Sequence, residues 1–317
     1  MKLGFIFSLP RAGSTYTQRV LSAAQGVRTT SEPWLMPALL GIRHGTAPHA
    51  DFAYDHVRKG LDGMLGSLPD PEGAWRRAVR VMAEAIYGNF AGPDELFIDK
   101  TPRNAVFAKE IIETFPDARC LFLWRNPLSV ANSINETWGG GDWKTYFYEY
   151  DLYAGLESLV STWQALGDHP RMKAIRYEDL VRAPDRHWPG IFAHFGLEYR
   201  PEYVARPPKI DVAMGDQSGQ AKYAETSSAS VDSWEKGFDT ELRKRWARKY
   251  LRHIGAERLA VMGYKLDELL ARLEAAPNRF RASDLPRILL SPAYHRLDTY
   301  VLRDNWLSRH SRRFSRR

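Results

Sequence analysis

The sequence of 317 residues has little of what marks several common classes of protein. Its only cysteine is Cys120, so no disulfide can form within the chain, and a reducing compartment is compatible with this composition. It has no apolar run of transmembrane length, and its first residues enter a strand-like segment without a cationic leader. These absences predict a cytoplasmic protein.

A basic surface is also missing from most of the sequence. The net charge is +7, but the last nine residues contain no acid and five arginines: Arg309, Arg312, Arg313, Arg316 and Arg317. The rest of the chain is near neutral, which argues against a nucleic-acid-binding face. The basic tail has two interpretations, a solvated terminus or a segment that contacts an anionic membrane surface or a polyanionic acceptor.

Strand-like and helix-like segments alternate along the chain. Strands are predicted at residues 3–8, 27–31, 96–99, 119–124 and 172–176. Helices are predicted at residues 14–25, 74–91, 104–115, 127–137 and 146–167. This alternation predicts an α/β fold of three layers, with a central, mainly parallel sheet of about five strands flanked by helices. Residues 42–73 and 197–229 lack firm periodicity and are expected to be irregular.

The loop after the first strand has the character of an anion site. It contains Arg11, Ala12, Gly13, Ser14 and Thr15 at the start of a helix-like segment. A helix N-terminus offers unpaired N–H groups and a partial positive charge, which suit a phosphate or sulfate. The ATP-type phosphate loop, G-x-x-x-x-G-K-[ST], requires a first glycine and a lysine that this loop lacks. The simpler alternative is a strand–turn–helix with a surface arginine.

A second basic loop follows the fourth predicted strand. Arg125 stands at the strand end, Pro127 suits the first helical turn, and Ser133 comes eight residues after Arg125. That spacing is about two helical turns, so a guanidinium and a hydroxyl are predicted to hold one phosphate from two sides.

Functional side chains follow all five predicted strands. They are Arg11, Glu32, Lys100, Arg125 and Tyr177. In an open α/β sheet, ligands bind beyond the carboxyl ends of the strands. One crevice is therefore predicted to collect these residues.

With four motifs in order, the chain resembles the sulfotransferases that use 3′-phosphoadenosine 5′-phosphosulfate (PAPS). The motifs are Leu9–Thr15, Asp99–Asn104, the Arg125 and Ser133 pair, and Ile175–Val181. The resemblance implies a P-loop-like fold in which Arg11 to Thr15 hold the 5′-phosphosulfate and Arg125 and Ser133 hold the 3′-phosphate. It also implies PAPS as co-substrate and no metal, because the sequence shows no cluster of metal ligands at these loops.

The resemblance further implies catalytic roles. Arg11 stabilises the leaving oxygen, Lys100 shares that role, and Glu32 is the base for the acceptor hydroxyl. The alternative for Lys100 is a surface lysine before a helix, and for Glu32 a helix-start acid. Many family members use a histidine instead, and three follow Glu32 in the next segment: His44, His49 and His56.

The nucleotide side of the site is implied at three further residues. Tyr177 matches a nucleotide-contacting tyrosine, and Lys222 and Ser227 lie in a segment that resembles the family's nucleotide-covering loop. Trp234 is either an adenine neighbour or a core anchor. One departure is that Ile134 to Thr137 lacks the basic residue that often follows the serine by one turn.

The acceptor is the least determined part. Six aromatic residues form a candidate stacking wall, part of which is expected to be core: Trp143, Tyr146, Phe147, Tyr148, Tyr150 and Tyr153. A small molecule or glycan is expected, preferably a carbohydrate or glycolipid. The domain prediction is a sulfotransferase domain over 1–275 and a helical extension with the basic tail over 276–317. The alternative functions are a P-loop kinase-like phosphotransferase and a noncatalytic nucleotide-binding protein.

Overall fold

Five short apolar segments pair as one parallel sheet. The computed structural model describes residues 1–44, 54–210 and 233–289. The strands are β1 (Lys2–Phe7), β2 (Val27–Thr29), β3 (Leu96–Asp99), β4 (Arg119–Trp124) and β5 (Met172–Arg176). They lie in the order β2-β3-β1-β4-β5, and every neighbouring pair is parallel. The predicted α/β fold with a five-stranded parallel sheet is confirmed.

Successive side chains of the central strand enter two different cores. Phe5 and Phe7 pack with Phe122 in one buried cluster, whereas Ile6 packs with Leu121 in the other. All five are 0% exposed. Because side chains alternate across a strand, a continuous apolar run such as β1 fits a sheet covered on both faces. This burial accounts for the three layers.

Helices cover both faces of the sheet. The first seven are α1 (Ser14–Ser22), α2 (Leu35–His44), α3 (Tyr54–Leu65), α4 (Pro71–Tyr87), α5 (Ala108–Thr114), α6 (Pro127–Gly139) and α7 (Leu156–Leu166). The others are α8 (Tyr177–Arg182), α9 (Pro184–Phe195), α10 (Pro201–Ala205), α11 (Glu241–Val261), α12 (Leu266–Ala275) and α13 (Asp284–Leu289). None of these helices, within the described ranges, has the length and apolar content to cross a bilayer.

Several predicted elements differ from the observed ones. Helix α3 lies inside the segment 42–73, which the sequence predicts to be irregular. Gly60 and Gly63 lower the helix propensity of this segment, but the helix buries Leu65. Helix α4 begins at Pro71, where the Asp70 carboxylate caps the first turn by accepting from the Gly73 N–H at 3.0 Å.

Two predicted helices are interrupted. The one expected at 104–115 begins as a 3₁₀ segment, Pro102–Phe107, before α5. The one expected at 146–167 is divided into a 3₁₀ turn, Thr145–Tyr148, a π turn, Asp151–Gly155, and α7. Apolar periodicity does not distinguish these tighter and wider turns from an α-helix.

The sheet order places the two basic loops together. The chain leaves β1 toward β2 on one side of the sheet and leaves β4 toward β5 on the other. The connections therefore diverge between the neighbouring strands β1 and β4, and such a point opens a crevice at the carboxyl ends of the strands. The loops that contain Arg11 and Arg125 both border this crevice.

The start of the predicted C-terminal extension is tied to α11. Asp284 is 0% exposed, and its two carboxylate oxygens accept from Arg243 at 2.8 Å each. The domain boundary after residue 275 stays a prediction, and the basic tail lies outside the described residues.

Candidate active site

A cavity of about 310 Å³ lies beyond the carboxyl ends of β1, β2 and β3. Its walls come from the loop after β1, the segments after β2 and β3, the end of α6 and residues 148–151. Cavities of this size accept small organic ligands. Two groups of residues lie at this cavity, and they differ in chemistry. Arg11 lines it, and Arg125, Ser133 and Thr137 contact Arg11 from behind the wall; we call these four the arginine side. We call the lining residues Glu32, Trp34, Arg103 and Asp151 the carboxylate side.

The loop after β1 depends on a close packing contact. Gly13 has φ +92°, and a Cβ built on it would lie 2.3 Å from the Tyr177 ring. Glycine is therefore required both for the backbone conformation and for the approach of the ring. Helix α1 begins at the next residue, Ser14, so the N–H groups of its first turn point toward the crevice.

Arg11 occupies the centre of the arginine side. Its guanidinium donates from Nε to Ser133 Oγ at 3.3 Å and from Nη2 to Thr137 Oγ1 at 3.1 Å. It also lies over the Trp138 ring, 5.3 Å from the ring centroid. Helix α6 thus holds the guanidinium of Arg11, which belongs to the loop after β1. Thr137 lies one turn after Ser133, at the position where a second basic residue is often found in the family that the sequence resembles.

Arg125 contacts the same loop from β4. It is 6% exposed, donates from Nη1 to the Arg11 carbonyl at 2.6 Å, and has its guanidinium 4.7 Å from the Tyr177 ring centroid. Its Nε is buried and has no hydrogen-bond partner among the described residues. Since a buried cation without a counter-charge is costly, this atom marks a place suited to an anionic ligand.

Arg125 and Ser133 are therefore brought together through Arg11 rather than by direct contact. Tyr177 is 2% exposed and lies under the loop, where it supports Gly13 and Arg125. Ala12 is 1% exposed, and its N–H donates to the Leu9 carbonyl at 3.3 Å. These contacts explain how the loop is shaped. The nucleotide contacts of these residues stay predictions.

Lys100 and Glu32 join the two sides of the cavity. Lys100 Nζ donates to Glu32 Oε1 at 2.9 Å and to Thr15 Oγ1 at 3.3 Å. Their side chains are 3% and 13% exposed, so the lysine is a buried group rather than a surface lysine. A cation directly after β3 therefore contacts both the loop after β1 and the carboxylate predicted to be the base.

A hydrogen-bonded carboxylate fixes the turn before Lys100. Asp99 accepts from Tyr87 Oη at 2.5 Å, from Thr101 Oγ1 at 2.9 Å and from Asn104 Nδ2 at 3.2 Å. Burial raises the pKa of Asp99, and the three donors oppose that rise. The network orders the chain on both sides of Lys100.

The carboxylate side contains residues for which the sequence predicted no role. Arg103 and Asp151 form a two-pronged ion pair, with Nε to Oδ1 and Nη2 to Oδ2 both at 2.7 Å. Burial raises the pKa of Asp151, Arg103 opposes the rise, and the nearby charge of Glu32 adds to it. Two signals for this pair were present in the sequence: Arg103 lies within the motif Asp99–Asn104, and Asp151 is, with Glu149, an acid inside the aromatic run.

The aromatic run divides between core and cavity. Trp143 and Tyr146 are buried core residues. Tyr148 lines the cavity and stacks on Trp138, with centroids 4.4 Å apart and an interplanar angle of 19°. Tyr150 lies beside Arg103, 5.4 Å from its guanidinium. The stacking wall is thus made partly by Trp138, which the sequence did not indicate.

Other predicted site residues lie elsewhere. Trp234 is 1% exposed and packs on Phe238, as expected for a core anchor. Lys222, Ser227 and His49 lie outside the described residues, as do the side chains of His44 and His56. Within the described ranges, no group of three or more His, Cys, Asp or Glu side chains is placed to hold a metal ion.

Comparisons with known proteins agree on one family. Residues 5–201 match the model of the Sulfotransferase family. Nodulation protein NoeE of Sinorhizobium fredii is 26% identical over 286 residues, which are 82% of this chain and 65% of that protein. The chain therefore spans less than two thirds of the length of this curated relative.

Two solved structures resemble the fold. A sulfotransferase domain from the curacin biosynthetic pathway superposes with a TM-score of 0.51 at 19% identity, covering 74% of this chain and 90% of that chain. A sulfotransferase domain from the Synechococcus PCC 7002 olefin synthase gives a TM-score of 0.49 at 20% identity, covering 74% and 87%. At 19% identity, the first of these two comparisons shows a likeness of fold alone.

Proposed function

The chain belongs to the sulfotransferase family, and we propose that it transfers a sulfuryl group from PAPS to a hydroxyl group of a carbohydrate or glycolipid. Sulfuryl transfer follows from the family. The donor, the acceptor class and the roles of individual residues are the substance of the proposal.

The main support for PAPS as the donor is the burial and incomplete hydrogen bonding of the Arg125 guanidinium. This guanidinium is buried, and its Nε has no partner among the described residues. A phosphate placed there would supply both the missing acceptor and the counter-charge. Arg11 lies alongside, and helix α1 directs its N-terminus toward the same crevice. A donor with phosphate groups at both ends of its ribose suits two such neighbouring anion sites.

The chemical step needs positioned oxygens and charge stabilisation. In in-line transfer, the bond from sulfur to the acceptor oxygen forms while the bond from sulfur to the 5′-phosphate oxygen breaks. Arg11 and Lys100 stabilise the charge that develops on the leaving oxygen, Lys100 from its position beside Thr15. Glu32 takes the proton of the acceptor hydroxyl, and 3′-phosphoadenosine 5′-phosphate (PAP) is released.

The cavity supports a hydroxylated ring as acceptor. The stacked Trp138 and Tyr148 rings offer an apolar wall, and the carboxylate side offers hydrogen-bonding groups next to Glu32. Sugars present an apolar C–H face and several hydroxyls, so this combination suits them. The buried single cysteine, Cys120, agrees with a reducing cytoplasm as the proposed location.

The test is transfer from ³⁵S-labelled PAPS to a panel of neutral saccharides, simple alcohols and phenols. We expect labelled product from PAPS and no phosphoryl transfer from ATP under the same conditions. Magnesium-dependent phosphoryl transfer from ATP would favour the kinase-like alternative. PAP binding without transfer to any acceptor would favour a noncatalytic nucleotide-binding protein.

A further inference from the structure

Three residues of the carboxylate side have no task in the proposed transfer. Trp34, Arg103 and Asp151 line the same cavity as Glu32. Asp151 is 4% exposed, whereas the Arg103 side chain is 31% exposed. A charged pair that is mostly withdrawn from water, yet borders a ligand-sized cavity, calls for a physical explanation.

The pair retains hydrogen-bonding capacity toward the cavity. Arg103 uses Nε and Nη2 on Asp151, and its Nη1 has no hydrogen-bond partner among the described residues. Each carboxylate oxygen of Asp151 accepts one of these contacts and has a further lone pair. The pair therefore offers donor hydrogens and acceptor oxygens next to each other, in a fork that is fixed by its own two contacts.

We propose that Arg103 and Asp151 bind two neighbouring hydroxyls of the acceptor and so select a polyhydroxylated, uncharged ring over an acceptor with a single hydroxyl. This inference rests on the proposed function, since it assigns the acceptor-recognition residues of that site. The Nη1 group donates to one hydroxyl oxygen, and an Asp151 oxygen accepts from the other. Trp138 and Tyr148 cover the apolar face of the ring.

The charge balance of the cavity supports an uncharged acceptor. Lys100 is paired with Glu32 and Arg103 with Asp151, so the cations and anions on the carboxylate side of the cavity match in number. A sulfated or carboxylated sugar would meet the Glu32 and Asp151 carboxylates without a surplus cation on this side. Vicinal hydroxyls meet no such repulsion.

Stability alone does not account for the pair. Buried ion pairs are weak stabilisers, because desolvation offsets most of their attraction. The fold contains a comparable pair, Arg243 with Asp284, whose side chains are both 1% exposed and which does not line the cavity. The Arg243–Asp284 pair therefore serves as a control for an ion pair with a structural role only. The Arg103–Asp151 pair differs from it in bordering a cavity that a ligand can enter.

Backbone strain is concentrated at the same place. Among the described residues, the non-glycine residues with positive φ are Arg11 and Trp34, at 65° and 54°. Both line the cavity, and Asp151 opens the π turn Asp151–Gly155. Left-handed non-glycine residues and π turns are disfavoured conformations that recur at functional sites. The Trp34 N–H donates to Thr101 Oγ1 at 3.3 Å, which ties its position to the turn around Lys100.

The experiment compares four forms of the protein: the unchanged chain, Asp151→Asn, Arg103→Lys and, as the matched control, Asp284→Asn. Each is assayed with ³⁵S-PAPS against neutral mono- and disaccharides and against cyclohexanol and 4-nitrophenol as single-hydroxyl probes. The quantity measured is the ratio of kcat/KM for the best saccharide to that for the best single-hydroxyl probe. Melting temperatures with and without PAP report folding and donor binding.

We expect the unchanged chain to prefer a saccharide at least about 100-fold, because a site built to bind hydroxyls rejects analogues that lack them. Asp151→Asn and Arg103→Lys should lower this ratio about 10- to 100-fold, mainly through the saccharide KM. Asp284→Asn should lower the melting temperature and leave the ratio unchanged.

Any one of the following results would overturn the inference. Equal transfer to saccharides and single-hydroxyl probes would refute it while sulfuryl transfer itself stands. An unchanged ratio in Asp151→Asn, or an equal loss of kcat for every acceptor, would make that residue structural or a general base. Absence of transfer to any probe would count against the proposed function and this inference together. A change in ratio for Asp284→Asn equal to that for Asp151→Asn would show that the effect is only structural.

Discussion

The two sides of the cavity handle charge in opposite ways. On the arginine side, the buried guanidinium of Arg125 contacts a carbonyl and a ring face, and its Nε has no hydrogen-bond partner among the described residues. On the carboxylate side, Arg103 is held by Asp151, and Lys100 is held by Glu32. The first arrangement leaves positive charge available to a polyanion, whereas the second suits an uncharged hydroxyl compound. Under the proposed function, the site thus distinguishes its two substrates by their charge.

Removing the proposed base from the carboxylate side is the most severe test of this division between the two sides. In Glu32→Gln, size and polarity are kept but the proton acceptor is lost, so turnover should fall about 10²- to 10⁴-fold. PAP affinity should barely change, because Glu32 is assigned to the acceptor. Single-turnover transfer and calorimetric PAP titration measure the two quantities on the same variant.

The control for this variant is Glu95→Gln, which removes a carboxylate paired with Arg28 outside the cavity. It should leave turnover unchanged. Near-normal turnover in Glu32→Gln would instead make that residue a structural acid near the start of α2, and the histidines after it would become the next candidates for the base.

The corresponding change on the arginine side is Arg125→Ala. Loss of a charge-assisted phosphate contact should weaken PAP binding by about 1.5–3 kcal/mol, or roughly 10- to 100-fold. Thermal stabilisation by PAP should shrink accordingly, while AMP, which lacks the 3′-phosphate, should stabilise the unchanged chain far less than PAP does.

Arg171→Ala is the matched control, since Arg171 donates to the carbonyls of Ile112 and Phe115 away from the cavity. It should affect stability and leave PAP affinity unchanged. Equal stabilisation by AMP and PAP would contradict the assignment of the 3′-phosphate to Arg125.

Ionic strength tests the difference in charge between the two sides without a substitution. Raising NaCl from about 0.1 M to about 1 M shortens the Debye length from about 10 Å to about 3 Å. The dissociation constant of PAP should then rise about 3- to 10-fold, whereas KM for an uncharged saccharide should change less than about twofold. Equal salt dependence of both quantities would contradict the division of charge between the two sides.

The smallest expected effect is that of a chelator. The described residues offer no metal cluster, and the cations of both sides can neutralise the transferred group's charge. Transfer should therefore proceed at the same rate in EDTA. A complete loss that magnesium restores would contradict the proposed arrangement of charges.

The arginine side could be predicted from the sequence because its parts are local. An apolar strand, a glycine and a helix start stand next to each other in Phe7 to Thr15, and Arg125 and Ser133 follow a second strand with helical spacing. Each pattern reports a backbone shape within about 10 residues. The five strands were predictable for the same reason, since each is a short apolar run between turns.

The carboxylate side could not be predicted as a unit, because its parts are distant in the chain. Glu32 and Trp34 follow β2, Arg103 lies in the 3₁₀ segment after β3, and Asp151 opens the π turn, so no spacing relates the three charged residues. Asp151 opens a π turn inside a segment whose periodicity indicates an ordinary helix. Trp34 has a positive φ, which bulky residues rarely adopt and which the sequence therefore does not predict. Tertiary packing decides all of these features.

The short contact between Lys100 and Glu32 has a consequence for the order of events in transfer. Before reaction, the two opposite charges are 2.9 Å apart and balance one another. Under the proposed mechanism, the carboxylate becomes neutral as it receives the acceptor proton, and the ammonium loses its counter-charge at that moment. The leaving oxygen gains negative charge in the same interval and becomes the new partner of the lysine. Proton removal on one substrate is thereby synchronised with bond cleavage in the other, and hydrolysis of the donor in the absence of an acceptor is disfavoured.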